Sequence, residues 1–418
     1  MTCDLTKQYI MADKSDSIIK VVGVGGGGGN AVNHMYKQGI KDVSFLLCNT
    51  DQQALRCSPV PDKLLLGDGL GAGGRPTRAL EAAEASRDEI RKKLDDGTKM
   101  VFITAGMGGG TGTGAAPIVA EIARELKILT VGIVTIPFAF EGKRKIRQAL
   151  EGVAVMSEFV DAMLVIHNER LCTCYPDVNL SNAFAHADNV LTNAARSIVE
   201  IITVDGHINV DFADVCTIMR DGGVAIMNYG HGEGENRVTN AINDALNSPL
   251  LNNNDIHNSK KILLNFYCSE KQPVLMSEVK EINEFMEQMG DDIEVIWGVT
   301  FDDTLEAKVK VTLLATGSEM SVVPEDLRED LRKKRELAQS TGKIYTEEAG
   351  SSDSSAEKAP QPKVSWGAKT VDPIAAFAAQ MYGEAKSETA KPNLTLDQFD
   401  NDDELLRQYE TESAINRR

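Results

Sequence analysis

No stretch of this 418-residue sequence reaches the roughly 20 consecutive apolar residues that a membrane-spanning helix needs, so direct membrane insertion is not expected. Positive charge is in deficit too. The 44 Lys and Arg stand against 62 Asp and Glu, for a net charge of -18, which disfavours nonspecific attraction to nucleic acid or an anionic bilayer. Any phosphate the chain binds must be held locally. Cysteines are few and show no pairing pattern. Of the seven, at positions 3, 48, 57, 172, 174, 216 and 268, only Cys172 and Cys174 are close, with neither a second pair nor a His cluster beside them. Free thiols in a reducing, cytoplasmic compartment are the expectation. The first 17 residues mix Asp4, Lys7, Asp13, Lys14 and Asp16 with few apolar positions, which makes neither a signal-peptide core nor a targeting helix. There is no repeat of solenoid period, and no G-x-x-x-x-G-K-[ST] motif to supply a phosphate-binding lysine.

The chain does have enough apolar sequence, 42%, for two ordinary domains and some non-globular sequence besides. Short β-branched runs at residues 18–24, 43–47, 100–104, 130–136 and 162–166 alternate with amphipathic segments at 30–38, 78–94, 115–126 and 146–159. That alternation predicts a doubly wound α/β domain, a parallel sheet covered by helices. Residues 180–202 space Leu180, Phe184, Leu191, Ile198 and Ile202 near the helical period, which predicts a long, largely buried central helix. A smaller α/β domain follows, with strands at 224–228, 262–267, 294–300 and 309–315 and helices at 237–247 and 276–289. Beyond Pro324 a charge-rich helix candidate at 326–338 leads into Ser, Ala, Lys, Glu and Pro through about residue 392, a composition too polar to offset its own ordering entropy. Leu396, Phe399, Leu405, Leu406 and Tyr409 then return among acids, as in a short segment that folds on a partner.

Three glycine-rich loops carry the chemistry. The first runs from Gly23 to Asn30, directly after a strand and before a helix, where close backbone approach and free N–H groups suit a phosphate. Gly23, Gly25 and Gly28 also satisfy G-x-G-x-x-G, and Asp51 follows the next strand, so a dinucleotide-binding oxidoreductase is a rival reading. The second loop, Gly106 to Gly114, again stands between an apolar strand and an Ala-rich helix, and the third, Gly67 to Gly74, lies between the other two. One dinucleotide site uses one such loop. Three at one sheet edge suit a polyphosphate held mainly by backbone donors and helix dipoles.

A further motif runs from Asn209 through Asp211 to Asp214, just past the long helix. Read blandly, Asp211 caps the next helix and Asp214 sits in its first turn. The two acids, with no offsetting Lys or Arg nearby, would repel a triphosphate in a pocket of their own chain. They make sense as water-positioning groups that come up only when a second molecule docks.

The string GGGTGTG at Gly108 to Gly114 resembles the signature of the tubulin/FtsZ family, and Asn49-Thr50-Asp51, the PFAFEG run from Pro137 to Gly142 and the Asn209 to Asp214 motif fall in the family's order. The resemblance covers about residues 18–318. It implies a tubulin/FtsZ-type α/β fold and a GTP-hydrolysing, self-assembling protein of the bacterial division ring. It also implies that Gly25, Gly26, Gly27 and Asn30 lie near the base and α-phosphate, and that Gly108, Gly109, Gly110, Thr111, Gly112, Thr113 and Gly114 wrap the phosphates. Ala72, Gly73 and Gly74 would approach the γ-phosphate, Glu141 and Lys145 the ribose and phosphates, and Asn168, Phe184 and Asp188 the base. A carboxylate can accept from both the ring N–H and the exocyclic amine of guanine, a pair that adenine lacks, and Phe184 offers a stacking face. Where the family usually carries Arg, four residues after the Glu of PFAFEG, this chain has Lys145, which keeps the charge and loses the bidentate fork.

With the resemblance, the expected ligands are GTP and GDP, with Mg2+ carried by the nucleotide and no metal site in the protein itself. Asp211, Asp214 and Asn209 are the catalytic candidates, supplied by one subunit to the nucleotide of the next. The expected layout is a flexible extension (1–17), a GTP-binding domain (18–180), a central helix (181–203), a C-terminal GTPase-activating domain (204–320), a linker (321–393) and a partner-binding peptide (394–418). Expected partners are further copies in a head-to-tail filament, and membrane-anchoring or regulatory division proteins on the tail, at midcell. A nucleotide-binding filament protein without turnover is the second rival, and the presence of both Asp211 and Asp214 argues against it.

Overall fold

The computed structural model describes residues 17–174, 179–204, 206–246, 259–289 and 293–318; the predicted extension over 1–16, the linker, the terminal peptide and the helix candidate at 326–338 lie outside the described residues. Apart from two three-residue strands the sequence reading lacks, at Lys63–Leu65 and Gly206–Ile208, the strands form at the expected β-branched and leucine-rich runs, and most begin and end within one to three residues of the expected positions. In the first half they are β1 (Ile19–Val24), β2 (Val43–Asn49), β3 (Lys63–Leu65), β4 (Met100–Gly106), β5 (Leu129–Ile136) and β6 (Ala162–His167). Six residues of β1 and all eight of β5 are buried, as strands sandwiched between helices must be. All six pair in parallel in the order β3-β2-β1-β4-β5-β6. The order reverses between β1 and β4, and in such sheets the crevice beyond the carboxyl ends of those two strands is where ligands bind.

The helices of this half are α1 (Gly25–Lys37), α2 (Gln52–Cys57), α3 (Pro76–Ala85), α4 (Arg87–Leu94), α5 (Gly110–Glu125), α6 (Lys143–Ser157), α7 (Asn168–Cys174) and the long α8 (Leu180–Thr203). The second half adds β7 (Gly206–Ile208), α9 (Phe212–Met219), β8 (Gly223–Gly232), α10 (Arg237–Leu246), β9 (Lys261–Cys268), α11 (Met276–Met289), β10 (Glu294–Phe301) and β11 (Val309–Ser318). β8 pairs in parallel with β6 through Ala162, Met163 and Leu164, so the sheet continues as β6-β8-β11-β9-β10-β7 and has 11 strands among the described residues. One hydrophobic core unites α1, α8 and α9 through Val32, Met35, Leu191, Ile198, Val215 and Ile218, and a second lies beneath α10 and α11 around Val238, Ile242, Phe266, Ile282 and Leu313.

Two helix starts differ from the sequence reading. α1 begins at Gly25 rather than at residue 30, and α5 at Gly110 rather than 115. Glycine disfavours a helix by about 1 kcal/mol relative to alanine, so propensity assigns these runs to loops. Packing overrides it: a Cβ on Gly28 would lie 2.1 Å from the Thr104 carbonyl oxygen, and one on Gly114 2.1 Å from that of Pro76. Only glycine lets these helices sit so close to their neighbours. The segment read as one helix over 78–94 breaks at Ser86, whose ψ of 13° leaves the helical range, although its apolar spacing continues through the break.

Candidate functional site

At the reversal point β1 feeds α1 and β4 feeds the loop before α5, so two glycine-rich helix starts stand side by side. Their contact is close: Gly25 has φ +75°, and a Cβ there would come within 2.8 Å of the Gly112 amide nitrogen. Neither helix has a side-chain cap. By contrast Asp51 caps α2, Asn179 caps α8 and Asp211 caps α9. The first-turn N–H groups of α1 and α5 therefore remain as donors with the positive end of each helix dipole behind them, which is a site for an anion. Gly26 and Gly29 have open space where a Cβ would point, and with Gly25, Asn30, Asn33 and Asn49 they line a pocket beside α1.

The third loop closes on the same place. The Gly71 N–H donates to the Thr50 carbonyl (2.9 Å) and the Gln52 N–H to that of Gly69 (3.1 Å), fastening residues 67–74 to the end of β2. Gly73 and Gly74 both have positive φ, and a Cβ on Gly110 would lie 2.8 Å from the Cβ of Ala72. Ala72, Gly73 and Gly74 thus abut the first turn of α5. The Thr50 and Thr111 hydroxyls are 2.7 Å apart, and Thr113 Oγ1 accepts from the Gly108 N–H at 2.9 Å.

Across α5, the Lys145 ammonium pairs with Glu141 at 3.2 Å while the other oxygen of Glu141 accepts from the Phe138 N–H at 3.0 Å. Gly108, at φ +89°, would set a Cβ 2.8 Å from the Lys145 carbonyl, so the phosphate-type loop leans on the start of α6. That start carries Lys143, Arg144 and Lys145, no acid and no side-chain cap. Three cations at a helix N-terminus oppose its dipole, an arrangement that an anion would relieve. One residue here was not read from the sequence: Gln148 Nε2 donates to the carbonyls of Gly108 (3.1 Å) and Gly109 (2.8 Å). Gln148 lies three residues after Lys145 on α6, a spacing that puts the two on one helix face and was legible in the sequence.

Of the residues expected at the base, Phe184 is 41% exposed and meets the Phe138 ring edge-on at 5.2 Å. The Asp188 carboxyl is pushed up to about 6 by burial, and no described residue hydrogen-bonds it. Its backbone carbonyl accepts from Thr192 Oγ1 at 2.7 Å, and that hydroxyl lies 3.2 Å from His34 Nδ1, linking α8 to α1. Asn168, the first residue of α7 after β6, is buried, and its Oδ1 has no partner among the described residues. Beside it, burial lowers His167 to about 4, so that its imidazole is neutral near pH 7. An unpaired carboxylate and an unpaired amide oxygen are acceptors suited to the donors of guanine.

Asn209, Asp211 and Asp214 are not brought to these loops. Asn209 Oδ1 accepts from the Gly206 N–H at 2.5 Å, and Asp211 and Asp214 form a reciprocal capping box at the start of α9. From these acids the chain runs through α9 to the amino end of β6, where the Gly223 N–H donates to the carbonyl of Asp161 at 3.1 Å and Gly223 pairs with Ala162. The acids therefore lie toward the amino ends of the parallel strands, and the glycine loops at their carboxyl ends. A strand of six to eight residues separates the two edges by roughly 20 Å.

Comparison with known proteins bears on the family and the fold. The model "Tubulin/FtsZ family, GTPase domain" matches residues 18–176, and "FtsZ family, C-terminal domain" matches 223–319. The chain is 59% identical over 316 residues to the cell division protein FtsZ of Porphyromonas gingivalis, covering 74% of this chain and 69% of that one. To the cell division protein FtsZ of Azotobacter vinelandii it is 44% identical, over 72% of this chain and 77% of the other. Among solved structures, an empty FtsZ dimer from M. jannaschii superposes with a TM-score of 0.66 at 41% identity, covering 73% of this chain and 89% of that chain.

Proposed function

The chain belongs to the tubulin/FtsZ family and is a guanine-nucleotide-binding GTPase of the cell-division cytoskeleton, and from that premise we propose that its hydrolytic site is completed between two copies. The observation that carries this reading is the separation of the glycine loops, at the carboxyl ends of β1 and β4, from the acids, whose helix α9 leads to the amino end of β6. For a triphosphate cradled at Gly25, Gly26, Gly27, Asn30, Ala72, Gly73, Gly74 and residues 108–114, the catalytic candidates Asn209, Asp211 and Asp214 of the same chain stand elsewhere. A second copy stacked head to tail would bring Asn209, Asp211 and Asp214 to it. Such a contact joins unlike surfaces and does not close on itself, so it propagates as a filament. Leu70 (81% exposed) and Phe140 (63% exposed) stand beside the glycine loops, which suits a face that a further copy covers.

The capping box also prepares the acids for the task. Asp211 uses Oδ1 on the Asp214 N–H and Asp214 uses Oδ2 on the Asp211 N–H, leaving one oxygen of each without a bond to any described residue. Those two oxygens would accept protons of an attacking water and hold it in line with the γ-phosphate, with Asn209 orienting the turn before them. Asp188 and Asn168 would read guanine, Phe184 would stack on it, and Lys145 with Glu141 would meet the ribose and phosphates. The glycine loops offer N–H donors, which suit phosphate oxygens rather than a cation. Mg2+ would therefore be held by phosphate oxygens and water, where it neutralises charge on the transferring group.

In this reading residues 18–180 bind the nucleotide, 181–203 form the central helix and 204–320 supply the acids, while residues 321–393 tether a terminal peptide (394–418) to membrane-anchoring or regulatory division proteins at midcell. The test is phosphate release from GTP over a range of protein concentrations. Specific activity near zero when dilute and rising as copies associate is the expected result; constant specific activity would refute the shared site.

A further inference from the structure

We infer that Gln148 is a positioning residue for the nucleotide phosphates, a clamp on the orientation of two glycine peptides. The inference rests on the reading of residues 108–114 as the phosphate loop. Glycine peptides flip easily, and this loop has little else to stop them: Gly108 sits at φ +89°, and Gly109, the uncapped N-cap of α5, has φ -89° and ψ 178°. One side-chain amide on α6 donates to both of their carbonyl oxygens, at 3.1 Å and 2.8 Å. In a planar trans peptide the carbonyl and the following N–H point in opposite directions. Holding the two carbonyls toward α6 therefore turns the N–H groups of Gly109 and Gly110 away from it, at the start of an uncapped helix whose first donors serve the anion.

The loop is held from its other side as well, because the Gly108 N–H is already taken by Thr113 Oγ1 at 2.9 Å. Between them Thr113 and Gln148 fix the peptides on both sides of Gly108 and the one after Gly109. Gln148 lies one turn beyond Lys145, so the same face of α6 presents a cation and holds the loop beside it. The amide is suited to this work because it can donate twice. A carboxylate of the same shape would set its oxygens against the two carbonyls, and a thioether of the same length could donate to neither.

The experiment uses nucleotide-free full-length protein and two variants, Gln148→Met and Gln148→Glu, titrated with GTP and separately with guanosine, which lacks phosphates. Loss of two hydrogen bonds that preorganise the loop should weaken GTP about tenfold in Gln148→Met, with guanosine binding unchanged. Gln148→Glu should lose more. If Gln148→Met does not fold, Gln148→Glu, which keeps the side-chain volume, reads the same comparison. GTP affinity at the wild-type level, or an equal loss for GTP and guanosine, would overturn the clamp. The site beneath it is checked by Gly110→Ala, whose Cβ would collide with Ala72: lost GTP binding there beside an unaffected Gln148→Met overturns the clamp alone, and intact binding in Gly110→Ala overturns both.

Discussion

The carboxylate of Asp211 accepts from the Asp214 N–H at 2.9 Å, and that of Asp214 accepts from the Asp211 N–H at 3.0 Å, so each acid fixes the other at the start of α9. Capping and water positioning can be separated by substitution. Asparagine caps about as well as aspartate, whereas alanine costs about 0.5–2 kcal/mol at such a position. Asp211→Asn is expected to keep wild-type stability in a denaturant melt and GTP binding in a titration, yet lose most GTP turnover. Asp211→Ala should lose turnover and stability together. Normal turnover in both would return Asp211 to capping alone.

Asp188, as the proposed reader of guanine, should make nucleotide binding pH-dependent. Its folded value of about 6 lies above the 3.8 of an ordinary aspartate, the reverse of a salt-bridged acid. In the nucleotide-free protein the folded state thus holds the proton more tightly, and this group's contribution to stability improves as pH falls from above 6 toward 3.8. Binding runs the other way, because only the ionised form accepts from both guanine donors. GTP affinity should be level above about pH 7 and fall below pH 6, and Asp188→Ala should be about tenfold weaker at pH 7 and lose the pH dependence. A flat affinity profile between pH 5 and 7 in the wild type would remove the carboxylate from the base site.

Gly26 offers a test of stability against function. A Cβ there meets nothing within 4 Å and φ is not positive, so the first turn of α1 should accept alanine and gain roughly 0.5–1 kcal/mol in the nucleotide-free protein. The same methyl would occupy space the phosphate needs. Gly26→Ala is expected to melt higher and bind GTP more weakly, by calorimetry on one preparation.

Arg237 should matter for stability and not for nucleotide. It is 7% exposed and donates to both oxygens of Glu278 and to the carbonyls of Pro273 and Ala307. Arg237→Met would strand a largely buried carboxylate, at a cost of about 3–5 kcal/mol by urea denaturation. GTP affinity of the folded fraction should stay at the wild-type level.

Much of this architecture was already present in linear order. β1, β4 and β5 are largely apolar runs, interrupted only by Lys20, Thr104, Thr130 and Thr135, and a run buried on both faces has few alternatives to a parallel strand between helices. Three glycine loops, each between a strand and a helix, pointed to a phosphate held by backbone. The matching motifs carried the family, and with it the carboxylate at Asp188 and the acids at 211 and 214. Local composition and spacing suffice for such features because they depend on residues a few positions apart.

What folding alone decided involves residues far apart in the chain. α1 and α5 begin within their glycines because Thr104 and Pro76 approach too closely for any side chain, a fact about residues 76 and 38 positions away that propensity cannot contain. Gln148 acquires its role from a loop 39 residues earlier, and nothing in its own neighbourhood marks it beyond sharing a helix face with Lys145. Burial raises the pKa of Asp188 only once α8 packs against the first half of the sheet. The placing of Asp211 and Asp214 on the edge away from the glycine loops follows from the path of α8 and β7, and that path is fixed by the buried apolar faces of many elements together, which no single segment encodes.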